Sequence, residues 1–403
     1  MVDSLLPAQE QLAILTDGID TVMPQEALLE KLRLGRPLRV KLGVDPTAPD
    51  VTLGWAVVFR LLRRFQDLGH TAVLILGDFT ALVGDPSGKS ETRKRLSEQE
   101  VSAYAASCLD MIKDVLSEER LEVRPNSEWL GTMDMHQLLE LTSTTTVARL
   151  LERDDFAKRF AAQQPISLIE FMYPILQAMD SVAVKADIEL GGADQLWNLL
   201  MGRQVQSRFD QEPQVAVTVP LLVGTDGTRK MSQSYDNYIS IREAPEEMFG
   251  KVMSVPDEAM EQWFLLAAGY SESDAASVAS EVSNGTRHPG DTKRLLAREI
   301  VTIYHGTEAA TEAERAFDRL FKDHALPKDI REIVVPASME GEVFVPALLA
   351  EAGLVSSNGE GRRMIKQGAV KLDGVRIEVE RLPKADVVGK VLQVGKRRFV
   401  RIA

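Results

Sequence analysis

The sequence predicts an α/β fold built on a parallel sheet, followed by a helical part and a small α+β part. Three observations carry this. Short β-rich runs alternate with helical periodicity through the first half of the chain. Near residue 240 the pattern changes to helices alone. Residues 343–403 change again, in patterning and in charge.

"LRVKLGV" (38–44) is short, β-rich and flanked by Pro37 and Pro46, so it reads as a strand. Thr52 can cap a helix through about Asp67. Its Val58, Leu61, Leu62, Phe65 and Leu68 follow helical spacing, and Gly69 suits the stop. "TAVLILG" (71–77) is a second, buried strand. Strand, helix and strand so close together make a βαβ unit, hence a parallel pair with a right-handed crossover. Ser97 with Glu100 is a capping box opening the next helix. Alternation continues to "QVAVTVPLLVG" (214–224), which makes residues 1–225 a Rossmann-like domain. Helices such as "EEMFGKVM" and "DTKRLLAREIVTIYHG" fill 226–328. "LPKDIREIVVPASMEGEV" (326–343) reads as a linker with some extended structure. The remainder, 343–403, reads as a short helix, a Ser/Asn/Gly turn, a basic helix and a strand with an Asp-Gly turn.

The bulk composition bounds what the chain can do. With 403 residues, two or three domains are expected. A content of 44% hydrophobic and 27% charged residues is that of a soluble globular protein. Apolar runs such as "AVLIL" (72–76) are far too short to cross a bilayer, so no membrane association is expected. "MVDSLLPAQE" lacks the pattern of a secretory signal, and Cys108 stands alone, which together point to a reducing cytoplasm. The formal net charge is −13, yet residues 343–403 hold 12 Lys and Arg against 6 Asp and Glu. That leaves 35 basic and 54 acidic residues in the rest. A basic module on an acidic body suggests local phosphate contact, while a merely solubilising tail is the plainer alternative.

Four stretches could carry chemistry. The turn Asp45-Pro46-Thr47-Ala48-Pro49 follows the first strand, where an open α/β sheet binds ligands beside a helix N-terminus. "GDFTALVGDPSGKSETRKR" (77–95) is glycine-rich and basic without P-loop spacing; it suits a clamp on phosphates or a solvated loop. Tyr173, Gln177 and Asp180 share one helix face at i, i+4 and i+7, costly in a core but suited to a small polar ligand. Gly191-Gly192, Asp194 and Gln195 follow. "GTDGTRKMSQSYDN" (224–237) sets Lys230 among small polar residues and could be only a turn.

In this order the four resemble the class I aminoacyl-tRNA synthetases, and among them the bacterial tyrosyl-tRNA synthetases of the subgroup with K-L-G before Asp-Pro-Thr. The likeness covers nearly the whole chain: "KLGVDPTAPD", "FQDLGH", "GDFTALVGDPSGK", "NSEWL", "YPILQAMDSVAVKADIELGGADQ" and "PLLVGTDG". It implies that 226–328 is an anticodon-binding domain and that 343–403 is an S4 RNA-binding domain. It implies ATP as substrate, with Mg2+ carried on ATP rather than held by a dedicated protein site, and L-tyrosine and tRNA(Tyr) as partners. A homodimer is implied too, in contact through an insertion at about 125–165, with "TTTVARLLERDDFAKRF" (144–160) as the candidate interface.

By the same resemblance, Asp85, Tyr173 and Gln177 match positions that hold the tyrosine ammonium. Asp180 matches the acceptor of the phenol and Gln195 a contact near the substrate carboxylate. Lys41 stands where another subgroup places a phenol-contacting tyrosine. Gly43, Asp45, Gly54, Gly192, Asp194, Leu222, Val223, Lys230 and Ser232 match the ATP site. Thr47, Thr52, Lys89, Arg93 and Lys230 match groups acting on the phosphates, and Arg362, Arg363, Lys366 and Lys371 would meet RNA. Three departures stand out: H-[IL]-G-H is Thr52-Leu53-Gly54-Trp55, K-M-S-K-S has Gln233 for its second lysine, and Met179 precedes Asp180 in place of an aromatic residue. They admit a catalytically silent paralogue that binds RNA or tyrosine. The amino-acid positions, all present together, favour an active tyrosine–tRNA ligase.

Overall fold

The computed structural model describes residues 5–84, 96–321, 330–336, 339, 341–395 and 398–403. Six strands form the first sheet: β1 (Thr21–Met23), β2 (Arg39–Val44), β3 (Thr71–Leu76), β4 (Leu121–Pro125), β5 (Ile188–Gly192) and β6 (Val215–Val219). Their spatial order is β1-β6-β5-β2-β3-β4. All neighbours are parallel except the edge strand β1, which runs antiparallel to β6. Chain order reverses between β2 and β5, so the crevice at their carboxyl ends is the topological switch point of a doubly wound sheet.

Three helices matter for that crevice: α1 (Leu53–Asp67), α2 (Leu168–Val184) and α3 (Leu196–Arg208). Helix α1 starts at Thr52, whose Oγ1 accepts from Trp55 N at 3.3 Å, and it buries Val58, Leu61, Leu62 and Phe65 as its spacing predicts. The capping box of Ser97 and Glu100 is formed at the head of Glu98–Ile112. At the start of β2, His70 Nδ1 accepts from Leu38 N at 3.1 Å and its Nε2 donates to Gln11 at 2.8 Å. Burial holds the ring down at about 4, hence neutral. The "FQDLGH" stretch thus braces β2 and lies away from the crevice.

The inserted helices Ser127–Leu130, Met135–Thr142, Val147–Leu150 and Asp154–Ala161 pack on α2 and α3 through Leu130, Leu141, Leu150, Leu176 and Val205. The last predicted strand stops at Val219, and "PLLVG" continues without a ladder apart from a bridge between Val223 and Lys230.

The described residues divide into two compact units, 1–311 and 312–403. The helices of 245–311 fall in the first of these units. The helix expected from "DTKRLLAREIVTIYHG" runs Pro289–Phe321, broken at Gly306 with a φ of 84°.

The second unit contains β7 (Glu332–Ile333), β8 (Glu342–Phe344), β9 (Val370–Leu372), β10 (Val375–Arg376), β11 (Arg381–Pro383), β12 (Val391–Val394) and β13 (Arg398–Ile402). One sheet has the order β10-β9-β12-β13-β7, and β8 pairs with β11 in a two-stranded ribbon. Strand β7 lies in the stretch read as a linker and pairs parallel to β13. Helices Val345–Glu351 and Asn358–Lys366 and the Asp373-Gly374 turn fall where the sequence puts them.

Candidate active site

A cavity of about 600 Å³ opens at the switch point. Gly43 and Asp45 reach it from the end of β2 and Gly192 from the end of β5. Tyr173, Gln177 and Asp180 line it from α2, Asp194 and Gln195 from the turn after β5, and Thr52 and Gly54 from the head of α1. Thr47, Leu222, Lys230 and Ser232 complete the set of predicted residues on its wall.

One side is built by a chain of hydrogen bonds. Tyr173 OH donates to Asp45 Oδ2 at 3.0 Å, and Thr80 Oγ1 donates to Asp45 Oδ1 at 2.7 Å. Asn126 Nδ2 donates to Thr80 Oγ1 at 3.0 Å and to Asp180 Oδ2 at 3.4 Å. Trp129 Nε1 donates to Asp180 Oδ1 at 2.9 Å. Only glycine fits at position 77, because a Cβ there would lie 1.9 Å from Asp45 Oδ1. Burial pushes the Asp180 carboxyl up to about 7, against the pull of Lys41, Trp129 and Asn126. A buried carboxyl with two fixed donors would suit a ligand that brings a hydroxyl to it.

The opposite side suits phosphates. Helix α1 presents its N-terminus, and the 230–234 loop docks on it. Gly54 N donates to Met231 Sδ at 3.3 Å, and Gln233 Nε2 donates to Asp50 O at 2.7 Å. Lys230 Nζ pairs with Asp194 Oδ2 at 2.6 Å, both partly exposed. Trp55, partly exposed on the wall, stacks on Phe59 with centroids 6.0 Å apart and 23° between planes. Thr52 Oγ1 accepts the capping bond from Trp55 N, which leaves its hydroxyl proton to donate. Among the described residues no three of His, Cys, Asp and Glu gather as a metal site.

Two predicted residues lie off the wall. Lys41 is wholly buried beneath the floor, paired with Glu189, and does not line the cavity. Val223 is held by its backbone, its N donating to Gln262 Oε1 at 3.0 Å. Gln195 Oε1 accepts from Asn198 Nδ2 at 2.8 Å. Asp85, Lys89 and Arg93 fall outside the described residues. In the second unit Arg362, Arg363 and Lys366 are exposed on one helix and Lys371 half-buried on β9; Arg362 also meets Glu380 at 3.1 Å. The sequence alone gave no role to Thr80, Asn126, Trp129 or Glu189. "NSEWL" contained two of them, and polar residues at a strand end were the available signal.

A crevice at the switch point of a doubly wound sheet, with a helix N-terminus on one side and a polar stripe on the other, suits an α/β enzyme that takes a phosphate-bearing ligand. The family of class I tRNA synthetases for tryptophan and tyrosine matches residues 33–322, and the S4 domain matches residues 345–385. The tyrosine–tRNA ligase of Moorella thermoacetica is 50% identical over 396 residues, which cover 97% of this chain and 95% of that protein. That of Haemophilus influenzae is 47% identical over 393 residues, covering 97% and 96%. The tyrosyl-tRNA synthetase of Archaeoglobus fulgidus, solved with L-tyrosine, has the same fold, with a TM-score of 0.63 at 22% identity over 76% of this chain and 99% of that one. The chain belongs to the class I tRNA synthetases and, among them, to the tyrosine–tRNA ligases.

Proposed function

We propose that the cavity activates L-tyrosine with ATP and passes the tyrosyl group to the 3′ end of tRNA(Tyr). A carboxylate oxygen of tyrosine attacks the α-phosphorus of ATP, and pyrophosphate leaves with its Mg2+, which enters as the counter-ion of ATP. A terminal ribose hydroxyl of tRNA then attacks the tyrosyl carbonyl, and AMP leaves. Neither step needs a side-chain nucleophile, so the protein acts by positioning and by stabilising charge on the departing phosphates.

The observation that carries this reading is the stripe of Tyr173, Gln177 and Asp180 facing the same cavity as the α1 N-terminus and Lys230. Asp180 takes the phenol, Gln177 and Tyr173, with Asp85, take the ammonium, and Gln195 lies near the carboxylate. Gly43, Asp45, Gly192 and Asp194 surround the ribose, and Leu222 and Val223 the adenine. Gly54 and Ser232 border the triphosphate, while Thr47, Thr52, Lys89, Arg93 and Lys230 act on it. Lys230 must leave Asp194 to reach the phosphates, and ribose hydroxyls binding Asp194 would release it. Arg362, Arg363, Lys366 and Lys371 meet tRNA phosphates. Exposed Met135, Leu139, Val147, Phe160 and Leu168, on and beside the insertion, support a homodimer. No helix of the described residues is long and apolar enough to cross a membrane. The lone Cys108 supports a reducing cytoplasm as the working place.

Tyrosine-dependent ATP–pyrophosphate exchange, with phenylalanine as control, tests the reading. Exchange with tyrosine alone is expected. A folded protein that binds tyrosine without exchange would instead be a silent paralogue.

A further inference from the structure

Beneath the cavity floor lies a charge pair that the reaction never touches. Lys41 on β2 and Glu189 on β5 sit opposite one another in neighbouring parallel strands, with side chains 0% and 1% exposed. Burying two charges is costly, and apolar side chains of like volume generally hold a fold as well. What such side chains cannot do is orient a polar neighbour.

Here the polar neighbour is Gln177. Lys41 Nζ donates to Glu189 Oε1 at 2.8 Å, to Ser181 Oγ at 2.9 Å and to the Gln177 backbone oxygen at 3.1 Å. Glu189 Oε1 also accepts from Gln177 Nε2 at 3.3 Å. Its Oε2 accepts from Ser181 Oγ at 3.1 Å and from Gln214 Nε2. Glycine at 202 leaves room for this cluster, since a Cβ there would lie 2.5 Å from Gln214 Nε2 and 3.1 Å from Glu189 Oε2. The pair thus grips Gln177 at both its backbone carbonyl and its side-chain amide. With Nε2 turned to Glu189, the polar atom left to Gln177 is Oε1, which is buried without a partner among the described residues. A carbonyl oxygen held in that way is an acceptor waiting for a cation.

We propose that Lys41 and Glu189 are a positioning couple for amino-acid recognition, fixing the Gln177 amide so that Oε1 meets the ammonium of the substrate. The proposal rests on the tyrosine-activating reading of the cavity. The couple touches neither substrate nor reacting atoms, so its removal weakens tyrosine binding without touching ATP.

Pyrophosphate exchange on the full chain, with thermal melting as the fold control, provides the test. Lys41→Met is expected to raise the KM for tyrosine about 10- to 100-fold, with the KM for ATP and kcat within about threefold of wild type. In a Gln177→Ala background the same substitution should lose most of its effect, keeping only what the charge of Lys41 exerts on Asp180, because the couple acts chiefly through the Gln177 side chain. A tyrosine KM unchanged in Lys41→Met, an equal rise in both KM values, or a full additive effect on Gln177→Ala overturns the proposal. If Lys41→Met does not fold, Ser181→Ala decides. It removes only the bridging hydroxyl and should raise the tyrosine KM several-fold, again only where Gln177 is present; an effect of the same size on Gln177→Ala, or none at all, overturns it. Wild type without tyrosine-dependent exchange would refute the activating reading itself. A normal wild type with a normal Lys41→Met removes the couple alone.

Discussion

Asp180 shows how one side chain can be shaped by where it sits. Its carboxyl, 3% exposed, is pushed up to about 7 by burial although Trp129 and Asn126 both donate to it. In the unfolded chain it titrates near 3.8. A group whose folded pKa is raised binds its proton more tightly in the native state. Its contribution to stability is therefore complete below about 3.8 and is lost as pH rises through about 7. The difference corresponds to an upper limit of about 4 kcal/mol. Asp180→Asn removes the titration, so the gap in melting temperature between this variant and ligand-free wild type should shift in the variant's favour from pH 5 to pH 8. A gap constant across that range would mean that Asp180 is already ionised at low pH. Tyrosine-dependent exchange should fail in the same variant. The sequence disclosed Asp180 because a carboxylate on a helix stripe with Tyr173 and Gln177 has no place in an ordinary core. It did not disclose the burial of Lys41, which the resemblance put at the phenol, because a lysine within a strand carries no local sign of a buried partner. The opposing Glu189 lies 148 positions away, and no local pattern pairs the two.

Elements set by local chemistry were the legible ones. Thr52 caps α1 and Ser97 with Glu100 closes its box, since both devices act within one helical turn. Strand β7 lies in the stretch read as a linker with some extended structure, and its pairing was not legible because its two residues gain their ladder from β13, far along the chain. The 230–234 loop combines the two cases. Its composition promised a turn, but its docking depends on Gly54 N and on Asp50 O, partners in another part of the chain. Gln233, standing where the family has its second lysine, ties the loop to the segment that leads into α1. Gln233→Ala should free that tie and raise the KM for ATP about five- to tenfold, as expected for the loss of one hydrogen bond, while the KM for tyrosine stays unchanged. Equal effects on both KM values in steady-state exchange would place Gln233 in the general architecture instead.

Across the whole molecule, charge is divided as the sequence suggested, with the basic surplus in residues 343–403 and an acidic remainder. Binding a nucleic acid backbone releases counter-ions, so its strength falls steeply with salt. Arg362, Arg363 and Lys366 stand exposed along one helix, and Arg362 shares its charge with Glu380. Replacing Arg363, Lys366 and Lys371 with alanine should therefore weaken tRNA charging and flatten its salt dependence. The log–log slope of kcat/KM for tRNA should fall by ~0.7 to 0.9 for each phosphate that the variant no longer neutralises. Pyrophosphate exchange, which needs no tRNA, should be unchanged at every salt concentration. The Arg362→Ala step should cost less than Arg363→Ala, because Glu380 already neutralises part of the Arg362 charge. A salt slope identical to wild type, with charging abolished, would mean that these side chains support the fold of the second unit rather than meeting phosphate.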